Sequence, residues 1–72
     1  MFELVLILCL DTAPLRCTRV ALPFGGRTQR ECHLTLPAAQ HHIAQATRAL
    51  RDGTSERILH AVFCLPSKET PT

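Results

Sequence analysis

The residues of this chain best equipped for chemistry are four cysteines, Cys9, Cys17, Cys32 and Cys64, separated by 7, 14 and 31 residues. Four cysteines allow three pairings. As disulfides they need an oxidising compartment. As buried free thiols they act as small hydrophobes and suit the inside of a cell. A third use is a structural zinc site that draws on some of them together with His33, His41, His42 or His60. Cys32 and His33 are adjacent, and His60 and Cys64 share one face of a strand, but the short C-x-x-C chelating pair common in zinc sites is missing. A redox-active dithiol lacks its usual motif for the same reason. Each histidine taken singly reads as a surface or partly buried side chain.

No cluster of acid, base and nucleophile stands out, and no cofactor fingerprint. No catalytic residue, cofactor or metal ligand is therefore assigned, and the chain is not expected to be an enzyme. Seven of the eight basic residues are arginine, in a chain of net charge +2. Arg16, Arg19, Arg27 and Arg30 would bind phosphate bidentately if they shared a surface. A solvated strand edge and turn is the better account of them. Without aromatic stacking partners or a recognised module, nucleic acid is not an expected partner.

The elements that must position the cysteines begin with the apolar run Phe2–Leu10 (FELVLILCL). Nine residues are too few for a helix to span a bilayer, which takes roughly 20. Glu3 stands where a secretory signal carries positive charge, and that favours a strand and a cytoplasmic chain over a cleaved leader. Disulfide bonding would instead imply an exported or periplasmic protein.

Centring a turn near Ala13, beside Pro14, pairs this run with Cys17–Phe24. Phe2 then faces Phe24, Leu4 faces Leu22, Leu6 faces Val20 and Leu8 faces Thr18. The other face pairs Val5 with Ala21, Ile7 with Arg19, and Cys9 with Cys17. A one-residue slip would put core residues opposite arginine and threonine, so the register is specified by its own hydrophobic pattern. Pro23 has no N–H, which places the second strand at a sheet edge.

Thr28-x-x-Glu31 has the form of a capping box, yet Pro37 would disrupt a helix running through from there. A short helical piece over 28–34 followed by a main helix over 36–52 resolves the conflict. Proline then sits in a first turn. The main helix measures about 25 Å and matches a strand of eight residues, about 27 Å. Leu36, Ala39, Ile43, Ala46 and Leu50 form its apolar stripe, and Gly53 ends it. Ile58–Leu65 reads as the third strand.

These elements predict an α+β fold, ββαβ, with a three-stranded, mostly antiparallel sheet in the order 2-1-3 and one helix packed on one face. The first strand, apolar on both faces, takes the centre. A right-handed βαβ crossover pairing strands 2 and 3 is the alternative. One domain over residues 1–64 is expected, with 65–72 a disordered tail. In this sheet Cys9 meets Cys17 near the turn, and Cys32 approaches Cys64 at the opposite end. Closing those loops would contribute about 2.5 and about 3.7 kcal/mol. At this chain length a hydrophobic core alone is marginal, and such a staple matters.

The string Cys9-Leu10-x-x-x-Pro14-x-x-Cys17-x-x-Val20-x-Leu22-Pro23-Phe24, with a last cysteine closing a C-terminal strand, resembles a group of small proteobacterial four-cysteine proteins with no assigned activity. The likeness covers 16 contiguous residues plus Cys64. It implies an architecture only. The functional expectation is a non-catalytic module that binds a protein partner or forms a homodimer, with a small zinc-binding module or a thiol redox protein as alternatives.

Overall fold

In the computed structural model, which describes residues 1–67, Phe2–Leu10 forms strand β1 and Arg16–Gly26 forms β2. Gln29–Leu34 and Leu36–Asp52 form helices α1 and α2, and Ile58–Pro66 forms β3. The sheet order is β2-β1-β3, with β1 antiparallel to both neighbours. This is the predicted topology, and the βαβ alternative is not formed.

The hairpin register agrees with expectation from Val5↔Ala21 through Cys9↔Cys17 and on to Leu10↔Arg16. It departs at the other end, where a shift between Glu3 and Val5 pairs Phe2 with Gly26 rather than with Phe24. Three β2 residues, Leu22, Pro23 and Phe24, there oppose the single residue Leu4. Pro23 cannot donate to a ladder, so a bulge at this point costs the sheet little. Because the slip amounts to two residues, Leu22 stays on the core side. Gly25 sits where β2 rejoins the ladder, and a methyl group there would press directly on the Phe2 carbonyl oxygen.

The break between the helices falls at Thr35, with Pro37 in the first turn of α2. The Glu31 N–H donates to the Thr28 hydroxyl at 3.1 Å. Its carboxylate accepts the N–H of Arg27 at 3.0 Å, one residue before the N–H that a capping box would use. Gly53 caps α2 with φ −97°, a conformation open to any residue.

The core lies between the helices and one face of the sheet. Leu4, Leu6 and Leu8 from β1 meet Leu22, Ala39 and Ile43 there, with Leu36, Ala46 and Leu50 packed around them. The expected stripe of the main helix is thus the face that packs. β3 extends to Pro66, and the Ser67 N–H donates to the Met1 carbonyl at 2.8 Å. Ordered structure therefore enters the segment expected as a tail, whose residues 68–72 lie outside the described residues.

Two glycine substitutions test this description by thermal unfolding. Gly25→Ala is expected to destabilise by about 1–3 kcal/mol, since backbone must move to admit the methyl group. At Gly53 a Cβ meets nothing nearer than the Leu50 carbonyl oxygen at 3.7 Å. Gly53→Ala is expected to be neutral or to stabilise by about 0.4–1 kcal/mol, through loss of unfolded-state freedom.

Candidate functional site

The four cysteines form two disulfides, Cys9–Cys17 and Cys32–Cys64, and no cysteine is free. The first joins directly opposed residues of the hairpin, beside the turn. The second ties α1 to β3 at the far end of the sheet. It is a core element, with Cys32 fully buried and Cys64 8% exposed. The hydrophobic pattern of the hairpin and the order of the strands are what bring each pair together.

The other sequence-derived candidates are dispersed. His60 and Cys64 do share the helix-side face of β3, but the Cys64 sulfur is bonded to Cys32. Among the described residues no group of three or more His, Cys, Asp and Glu side chains converges. His42 packs edge-on against Phe24 at 5.1 Å, with His41 beside it. The four arginines do not share one surface. Arg16 opens β2 and Arg27 follows its end, a separation on the order of 30 Å along a strand of this length. Arg19 is instead ion-paired with Glu3 at 3.4 Å.

A cleft of about 540 Å³ lies between the hairpin turn and the end of α2, lined by Leu10, Thr12, Pro14, Arg16, Leu50 and Glu56. Its charged lining is Arg16 and Glu56, and the Thr12 hydroxyl in it donates to the Pro14 carbonyl at 2.7 Å.

The feature that stands out is the sheet face turned away from the helices. Side chains alternate along a strand, so the helix-facing Leu4, Leu6 and Leu8 leave Val5, Ile7 and Cys9 on the opposite side. Register adds Ala21 from β2, and Leu59, Ala61 and Phe63 from β3. Val5, between Ala21 and Phe63, is fully buried, whereas Phe63 is 49% and Leu59 40% exposed. No described helix or loop covers this face. Glu3 and Arg19 are its charged residues, and they neutralise each other.

Phe63 and Leu59 did not emerge from the sequence as site residues. The usable signal was the double apolar pattern of Ile58–Leu65, whose odd-numbered residues are as apolar as its even ones. Among the described residues no helix is long and apolar enough to cross a membrane. Comparison with protein-family models, with curated proteins and with solved structures yields no match to this chain.

Replacing Cys32 and Cys64 together by alanine is expected to lower stability more than replacing Cys9 and Cys17. The closed loop is longer, about 3.7 against about 2.5 kcal/mol, and two buried side chains are truncated as well. Thermal unfolding of the two double variants under oxidising conditions checks the order.

Proposed function

We propose that this chain is a non-catalytic association module that pairs with a second copy of itself through the uncovered sheet face. The observation that carries the reading is the apolar surface of Ile7, Leu59, Ala61 and Phe63 on the side away from the helices. A small domain gains by covering such a surface, because apolar area removed from water contributes about 25 cal/mol per Å². Two copies related by a two-fold axis present the same patch to each other. The Glu3–Arg19 pair leaves that patch without net charge, so like charges do not oppose the contact. The face measures about 30 by 14 Å from strand geometry. That is below the standard size of a specific interface and in the range of weak, transient contacts, so it suits a reversible dimer.

The two disulfides support an oxidising compartment for the mature chain, the exported rather than the cytoplasmic setting. Intact mass after alkylation tests this on protein recovered without reductant from the native host. No alkyl groups before reduction and four after it are expected. Alkylation before reduction would point back to a reducing compartment.

Sedimentation equilibrium on the oxidised protein tests self-association. A concentration-dependent monomer–dimer equilibrium is expected, weakened at least about tenfold by Phe63→Asp, which would bury an unpaired charge in the contact. Phe63 is half exposed in the single chain, so the variant is expected to fold, with a somewhat lower melting temperature because the ring flanking Val5 is lost. A strict monomer at high micromolar concentration contradicts the proposal, as does a dimer insensitive to Phe63→Asp.

A further inference from the structure

The two edges of the sheet are not equivalent. The β2 edge carries features that discourage strand addition: a bulge at Leu22–Phe24, Pro23 without an N–H, and the charged residues Arg16 and Arg19. The β3 edge carries no such protection along most of its length. Its pairing with β1 is continuous from Ile58 to Pro66, and it has no charged residue. Among the described residues no backbone hydrogen bond is made to its outer side over residues 59–65. A long, regular, uncharged edge of this kind is a template for another strand.

What lies beside that edge gives it chemical character. On the helix side a groove of about 300 Å³ separates β3 from α2, lined by Ile43, Ala44, Thr47, Arg48 and Arg51 from the helix and His60 from the strand. No carboxylate lines it. Neither Arg48 nor Arg51 has an ion-pair partner among the described residues, although both are exposed and within one helical turn of each other.

We infer that the outer edge of β3 and the flank of α2 form a binding site for an extended acidic peptide segment, which adds to the sheet as a fourth strand. Main-chain hydrogen bonds to β3 supply the general affinity of strand addition, and alternate side chains supply selectivity. Side chains on the helix side of the added strand rise into the groove toward Arg48 and Arg51, where carboxylates find bidentate partners. Side chains on the other side continue the apolar surface of Leu59 and Phe63. The preferred ligand therefore alternates acidic and apolar residues. The second copy that covers the open face is a poor occupant here, because its own β3 brings no acid to the arginines. The site is built on an edge and a groove and only borders the open face, so its acidic selectivity does not rest on self-association.

The test is a ¹⁵N-edited NMR titration of the oxidised protein with a capped octapeptide alternating glutamate and valine, and with its lysine–valine counterpart. Shifts confined to β3 and to residues 44–51 of α2 are expected with the glutamate peptide, and binding should weaken as salt rises. The double variant Arg48→Glu with Arg51→Glu is expected to bind the glutamate peptide about tenfold more weakly and to gain affinity for the lysine peptide. Both positions are on the exposed side of α2, and the spectrum of the variant reports directly that it is folded. Four results would overturn the inference: no shifts at millimolar glutamate peptide, equal binding of both peptides, shifts centred away from β3, or β3 pairing with β3 of a second copy. Light scattering on the same samples reads the oligomeric state separately, so failure of one reading leaves the other standing.

Discussion

Every inter-strand hydrogen bond of the sheet has β1 on one side, and β1 is apolar in both directions. That single constraint organises the rest. Leu4, Leu6 and Leu8 require a layer above them, and α1 and α2 provide it. Val5 and Ile7 require flanking on the other side, and Ala21, Ala61 and Phe63 provide part of it. A strand of this composition gains most at the centre, where a neighbour on each side shields part of its second face. It takes the centre, the two less uniform strands fall to either side, and the chain reverses through a tight turn to put β2 in place.

The disulfides follow from the same arrangement. With β1 central, the hairpin register opposes Cys9 and Cys17, and the C-terminal end of β3 comes to the end of the sheet where β2 stops and α1 begins. Cys32 in α1 and Cys64 in β3 then meet inside the core. One bridge locks the hairpin near its turn, and the other closes the opposite end of the sheet onto the helical layer. For a chain too short to rely on hydrophobic burial alone, covalent closure at both ends is an effective use of four side chains. It also leaves none of the four as a free thiol while both bonds are intact.

Much of this was legible in the sequence because the signals were redundant. Same-face pairing along β1 and β2 specified a register, the length of α2 was bounded by Pro37 and Gly53, and strand order followed from the double apolar face of β1. Where a signal acted alone, reading was less sure. The ladder slips at Leu22–Phe24 because Pro23 removes a donor, and alternation gives no warning of a two-residue bulge that preserves the side on which each residue points. The tail boundary fell short because Pro66 looks like a breaker, although at the last position of an edge strand a missing N–H costs nothing. The uncovered face of Ile7, Leu59 and Phe63 was hardest to see. A buried and an exposed apolar residue look alike in sequence, and only the position of the helices separates them.

The uncovered face is where the account is most exposed to test. Isotope-filtered NOE spectroscopy on an equimolar mixture of ¹³C-labelled and unlabelled oxidised protein reports contacts between copies and nothing else. Cross-peaks between the Phe63 ring of one copy and the Ile7 and Leu59 methyl groups of the other are the expected result. Intermolecular cross-peaks only from α2 residues, or none at concentrations where the dimer should be populated, would contradict it.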